Sequence, residues 1–398
     1  MRTRFKIVGL LLALALVAAA CGDSSSDTTT TTADSGATTT TAADTTTTTV
    51  EPMVCEATLG FIGPITGPVA FIGGVQLNWF KYAVDTFNSD MGYDFQIVEG
   101  DNQFDTAQSA TLAAQFIDNG DIVGVVGPAG SDNVDAAGAV FEAGDPDLTF
   151  ISPSSTRVGI AAKFTGMFRT VGTDDDQGPT TAQLMIDQGA SKVFLIDDQS
   201  SYSTGLAAST TAALEAANVE VVSESVTQDI TDFSALVSTI PDDADFVYLP
   251  WQVAANAQII ANQMQEQGKD ITIVGSDGLD SGDFVVPGAL IVKFAGDISV
   301  IPESADLLAG FLAEYPETNT FGPPVFVATQ ALLEAVDRVC AAGEVPNRAN
   351  VQAEVRNTNL AQTILGTPVS FNSDGDLADG RFYIFQTDAD GNDIGFAG

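Results

Sequence analysis

Three short segments place small, hydroxyl-bearing residues directly after apolar runs: Gly63-Pro64-Ile65-Thr66-Gly67-Pro68, Gly127-Pro128-Ala129-Gly130-Ser131 and Ser152-Pro153-Ser154-Ser155-Thr156. Three others bring aromatic rings, an amide and a carboxylate: Asp197-Asp198-Gln199-Ser200-Ser201-Tyr202, Tyr248-Leu249-Pro250-Trp251-Gln252 and Gly275-Ser276-Asp277-Gly278. Hydroxyls at Thr66, Ser131, Ser154 and Thr156, with backbone N–H groups left accessible by glycine, suit a bound carboxylate. Asp277 suits an ammonium group, and Tyr202, Trp251 and Gln252 would wall the space between. Together they describe a cleft for a small zwitterion. Each residue also has a plainer reading. Ser131 or Thr156 would cap the helix that follows, Tyr202 and Trp251 would cover a sheet, and Asp277 would be a turn acid before Gly278.

Bond-making chemistry has little to work with. The chain contains no histidine, the commonest general base and metal ligand, and no lysine follows Gly127-Pro128-Ala129-Gly130 as a phosphate loop requires. A hydrolase working through carboxylates alone is the rival of a different class, but no acid pair presents itself. Two acidic strings, Asn372-Ser373-Asp374-Gly375-Asp376 and Asp388-Ala389-Asp390-Gly391-Asn392, lack the sixth-position glycine and terminal glutamate of a calcium loop and read as turns. Binding without catalysis, metal or cofactor is expected.

The elements that must position these loops alternate. Apolar runs at 58–62, 95–98 and 122–126 are separated by helical-period segments at 75–87 and 107–117, and the same rhythm restarts at Val193. Fully apolar strands alternating with helices predict parallel sheets covered on both faces, and about 340 residues after Val54 exceed one typical domain. The expected fold is α/β, with two doubly wound lobes joined by several crossing segments. Residues 54–172 and 299–375 are assigned to the first lobe, and 173–298 and 376–398 to the second. Open α/β sheets bind ligands at the carboxyl ends of their strands, where all six loops fall.

The N-terminus begins with Arg2, Arg4 and Lys6, runs apolar from Ile7 to Val17 and ends in Ala18-Ala19-Ala20-Cys21. This predicts a signal peptide over residues 1–20, with Cys21 as the lipidated first residue of the exported chain. Residues 21–53 are mostly Thr, Ser, Asp and Ala, a composition that cannot offset ordering entropy and predicts a flexible stalk. The formal net charge of −39 excludes nucleic acid as a partner, because phosphate neutralisation needs clustered Lys and Arg. With Cys21 lipidated, Cys55 and Cys340 remain in an oxidising compartment. They are predicted to form a disulfide, two buried free thiols being the other state.

The residues from Val54 onward resemble the branched-chain amino-acid-binding proteins of ABC transporters. The likeness is carried by Gly60-Phe61-Ile62-Gly63-Pro64-Ile65-Thr66-Gly67-Pro68, the 152–156 loop, Phe168-Arg169-Thr170 with Asp176-Gln177-Gly178, Tyr202 with Gly205, and Gly275-Ser276-Asp277-Gly278. The resemblance implies a type I periplasmic-binding-protein fold, in which Ser131 and Thr156 hold the ligand carboxylate and Ser154 contributes its backbone. It also implies that Tyr202 packs on the ligand and Asp277 takes its ammonium. At Tyr248-Leu249-Pro250-Trp251-Gln252 the chain departs from the family's Gly-rich stretch, so Trp251 or Gln252 is expected to line the pocket. The implied role is a monomer, lipid-anchored on the outer face of the cytoplasmic membrane, that closes on a small aliphatic amino acid and delivers it to an ABC permease. A sensing protein for an amide, urea-like or aromatic-acid solute is the alternative.

Overall fold

The structure, a computed structural model, describes residues 55–389 and 392–395. The signal segment at 1–20, Cys21 and the stalk at 21–53 lie outside the described residues.

The first sheet takes β1 (Thr58–Gly63), β2 (Gln96–Asp101), β3 (Ile122–Val126), β4 (Phe150–Ser152) and β5 (Met167–Arg169), all parallel, in the order β2-β1-β3-β4-β5. Its connections carry α1 (Ala70–Met91), α2 (Thr106–Asp118) and α3 (Ser131–Glu142). Leu59 and Phe61 of β1 face a core built with α1, whereas Ile62 faces α2 and α3. That two-sided burial is why the strand reads as an unbroken apolar run.

The second lobe repeats the design. After α4 (Asp174–Asp187) come β6 (Lys192–Asp197), α5 (Ser201–Ala216), β7 (Glu220–Ser225), α6 (Ser234–Val237), β8 (Phe246–Leu249), α7 (Ala254–Glu266), β9 (Thr272–Ser276) and β10 (Leu290–Lys293). Their parallel order, β7-β6-β8-β9-β10, is the order of the first sheet over again. In both sheets the direction of winding reverses next to the lobe's first strand, which opens a crevice at the strand ends there.

The chain then returns. Helices α8 (Ala305–Glu314), α9 (Gly322–Ala341) and α10 (Arg348–Arg356) cover the first sheet, where Trp79 of α1 stacks on Phe311 of α8 at 3.8 Å. Cys55, just before β1, is bonded to Cys340 in the last turn of α9, with Cα atoms 5.7 Å apart. A small ladder, β11 (Asn359–Leu360) with β12 (Val369–Ser370), precedes a last crossing. There β13 (Tyr383–Thr387) adds antiparallel to β10, and β14 (Asp393–Gly395) to β13. Two of the crossing segments meet at glycines: a Cβ on Gly380 would stand 2.5 Å from the Cα of Gly172. Among the described residues no helix is long and apolar enough to cross a membrane.

Candidate functional site

Ser131 is the first residue of α3, after Gly130, which takes a left-handed φ of 79°. Its hydroxyl accepts from the backbone N–H of Arg157 at 3.3 Å and the hydroxyl of Ser155 at 3.2 Å. It therefore ties the loop after β3 to the loop after β4 and does not cap its own helix. In that second loop Ser154 accepts from Gln76 Nε2 at 3.0 Å, while Thr156 is fully buried. The loop is shaped by a buried guanidinium: Arg169 Nη1 donates to the carbonyls of Ser155 and Arg157, and Nε donates to Asp376. A lone arginine in the apolar strand Met167–Arg169 is the sequence signal for this device, because a buried cation requires a partner.

From the second lobe, Asp277 follows β9 and is buried. Its Oδ1 accepts from Tyr202 at 2.9 Å and from Gln177 Nε2 at 2.6 Å. Burial pushes its carboxyl up to about 6, against the pull of the Gln177 and Tyr202 hydrogen bonds. Gly278 is required here, since a Cβ would lie 2.2 Å from the carbonyl oxygen of Trp251. Asp174, the first residue of α4, lies in the same electrostatic neighbourhood. Its carboxyl is pushed up to about 7, by burial first and by the charge of Asp277, while Thr156 and Arg169 oppose.

Ser131, Ser154, Thr156, Tyr202 and Asp277 all come to this junction of strand-end loops, and Gln252 lies beside Gly278. Two expected residues do not. Trp251 was expected to line the pocket, but it continues the two-residue period of Val247 and Leu249 into the core under α7. Its indole N–H donates to the carbonyl of Ile196 at 2.6 Å and its ring packs on Phe233. Thr66 is exposed, with its hydroxyl on Asp101 at 2.5 Å. Sequence reasoning missed Asp174 and Gln177 as site residues, and also a clasp that closes the cleft. There Asp132 of α3 accepts from the backbone N–H of Ser201 in α5 at 3.0 Å and from its hydroxyl, and Arg157 Nη1 donates to that hydroxyl at 2.6 Å. The acidic string at 372–376 is a turn closed on Asn372 that sends Asp376 to Arg169.

A cleft of about 850 Å³ opens elsewhere, between α1 and the second lobe, around Phe71, Asp280, Lys293 and Thr320, and holds none of the expected residues. A smaller one of about 590 Å³ borders the junction and is lined by Arg157, Asp174, Gly205 and Ser209.

Two lobes of matching topology, with polar loops at their strand ends and a clasp across the gap, define the architecture of a solute-binding protein. The chain belongs to the periplasmic binding protein family, whose model matches residues 56–392. It is 26% identical over 347 residues to the Leu/Ile/Val-binding protein BraC3 of Rhizobium johnstonii, covering 84% of this chain and 92% of that one. It is 26% identical over 355 residues to the leucine-specific-binding protein of Salmonella typhimurium, covering 85% and 93%. Its fold is that of the branched-chain amino acid transporter substrate binding protein LivJ from Streptococcus pneumoniae, solved with isoleucine, at a TM-score of 0.76 and 24% identity over 85% of this chain and 97% of that one.

Proposed function

We propose that this chain captures a small amino acid with an aliphatic side chain in its interlobe cleft and delivers it to an ABC permease. The observation that carries the reading is Asp277. It is a buried acid held on one oxygen by Tyr202 and Gln177, opposite loops that present the hydroxyls of Ser131, Ser154 and Thr156. An acid on one lobe and hydroxyl and amide donors on the other match the two ends of a zwitterion. The apolar cluster where the lobes meet, which includes Ile72, Ala129 and Phe294 with Val253 against it, suits an aliphatic side chain. The names of the relatives, Leu/Ile/Val-binding and leucine-specific, agree. The chain works by closure without a covalent step, as an exported monomer tethered through Cys21 beyond a cleaved segment at 1–20 and a stalk at 21–53. Lobe boundaries near 172, 298 and 375 follow the three crossings.

A thermal-shift panel tests it, with leucine, isoleucine, valine and alanine set against acetamide, urea and 4-hydroxybenzoate. An amino acid present at a hundred times its dissociation constant adds about 2.7 kcal/mol of stability. Stabilisation by a non-amino-acid solute alone overturns the reading. Asp277→Asn abolishes amino-acid binding in a chain that still folds.

A further inference from the structure

We propose that Asp174 is a second acidic residue of the ligand site, facing the captured ammonium group together with Asp277 and giving up a proton when that group arrives. The proposal rests on the amino-acid reading above and adds to it a residue and a proton.

Asp174 is 1% exposed, and among the described residues neither carboxylate oxygen has a hydrogen-bond partner. The Thr156 hydroxyl lies close enough to favour the charged form, yet its oxygen likewise has no hydrogen-bond partner among the described residues. Three more unpaired buried atoms belong to residues of this region: Gln177 Oε1; the Tyr248 hydroxyl, which lies near Thr210 and Thr181; and Arg169 Nη2, whose charge is paired with Asp376. Buried polar atoms are normally paired; Tyr248 has threonine hydroxyls near it and Arg169 its ion pair, which leaves Asp174, Thr156 and Gln177 in need of a partner. Because Asp174 and Gln177 contribute only acceptors, that partner must be rich in N–H donors. An ammonium group is such a partner.

Charges of both signs surround Asp174. From its own helix comes Asp175 and from the loop after β9 Asp277, both of which disfavour ionisation; Arg169 of β5 favours it but is paired with Asp376. The phenols of Tyr202 in α5 and Tyr248 in β8, both pushed upward by burial, stay neutral. Arg157, whose Cγ and Asp174 Oδ2 each lie 3.9 Å from a Cβ built on Gly205, is held by Asp135 at 3.1 Å and by the clasp. Asp277 has Asp280 as its further acidic neighbour. Two desolvated carboxylates thus share a region where, among the described residues, no cation is free, and below about pH 7 Asp174 holds a proton. An arriving ammonium favours the ionised form, and the proton leaves to solvent through the cleft that Asp174 borders beside Arg157 and Gly205.

The sign follows. A carboxyl raised from 3.8 to about 7 in the folded chain makes the unliganded protein most stable when protonated, and that stability is lost as pH rises through about 7. Ligand affinity runs the other way: below about pH 7 capture must expel a proton, so the dissociation constant rises by up to tenfold per pH unit as pH falls.

The test is calorimetric titration of the full mature chain with L-leucine at pH 5, 6, 7 and 8, in phosphate and in Tris at pH 7. The expected result is an apparent enthalpy at pH 7 that differs between the two buffers by the heat of proton uptake, with affinity falling at least tenfold from pH 7 to 5. Asp174→Asn weakens binding at least tenfold at pH 8, flattens the pH profile between 6 and 7.5 and raises the melting temperature of the unliganded chain at pH 8, which shows that the variant folds. Leucine binding with constant affinity and one enthalpy in both buffers overturns the role of Asp174 alone. An Asp174→Asn variant with wild-type affinity and pH profile does the same. Failure of leucine to bind at every pH overturns the amino-acid reading and this proposal with it.

Discussion

Removing the clasp at the mouth of the cleft weakens ligand capture without weakening the fold. Asp132 sits in the first turn of α3 and crosses the gap to the N-terminus of α5, where it takes the Ser201 N–H at 3.0 Å and the Ser201 hydroxyl. That N–H is one of the donors a helix cannot satisfy internally, and the helix dipole favours an anion there. Two charge-assisted bonds would contribute roughly 3–6 kcal/mol if buried, but the Asp132 side chain is 38% exposed, so solvent screening reduces the sum to about 2 kcal/mol. Because the contacts exist only with the lobes together, the loss falls on the closed state. In Asp132→Ala the dissociation constant rises about 30-fold, by the rule that 1.4 kcal/mol is tenfold. Most of the change is in the off-rate. Calorimetry and stopped-flow release of leucine measure both, and urea unfolding without ligand checks the fold. An Asp132→Ala chain that unfolds normally yet binds within threefold of wild type refutes the clasp.

Arg169→Met leaves the half-buried Asp376 without its cation and strips donors from the carbonyls of Ser155 and Arg157. A loss of about 3–5 kcal/mol in urea unfolding is expected, and Arg169→Lys does not restore it, because an ammonium cannot reproduce the fork of donors; full rescue by lysine would show that only the charge matters. In Gly130→Ala, a Cβ 2.5 Å from the Phe104 ring, at a φ of 79°, costs about 1–3 kcal/mol and shifts the start of α3. Thermal melting reads the first effect and leucine affinity the second, and a variant unchanged in both contradicts the account of Gly130.

The lobes were legible because their strands are buried on both faces: 122–126 and 193–196 are apolar throughout, with helical periods between them. Helix α3 was harder to see. Its face is built from small residues, with Gly138 packed so tightly under Phe164 that a Cβ would stand 2.6 Å from the ring, and such a stripe has little apolar contrast. Of the candidate site, Ser131, Thr156, Tyr202 and Asp277 were proposed from their place after strands, and the structure brings the loops that carry them together. Trp251 could not be assigned that way, because whether a residue just past a strand turns to core or cleft depends on whether the strand's period continues. Asp174 and Arg169 were hidden for another reason. An acid in a run of three at 174–176 looks like a solvated helix start, and the partner of Arg169 lies 207 residues away.

That distant partner bears on how gripping and closing are joined. Arg169 lies at the end of β5, just before the chain first leaves the first lobe, and Asp376 lies just before the last crossing into β13. The backbone N–H of Arg169 also donates to the carbonyl of Gly375 at 3.1 Å, and a few residues on, Gly172 and Gly380 pack backbone against backbone. Two of the three crossings are thus fastened to each other at the first lobe, and the guanidinium that fastens them also orients the Ser155 and Arg157 carbonyls of the binding loop. A rotation of the second lobe must therefore pivot beyond Gly172 and Gly380, where glycine gives the backbone most freedom. In such a rotation the first-lobe half of the site, held by Arg169, would keep its shape while Tyr202, Gln177 and Asp277 move with the second lobe. Pre-organising one half in this way lowers the ordering cost that the ligand meets on closure, which leaves the acids of the moving half to respond to its charge.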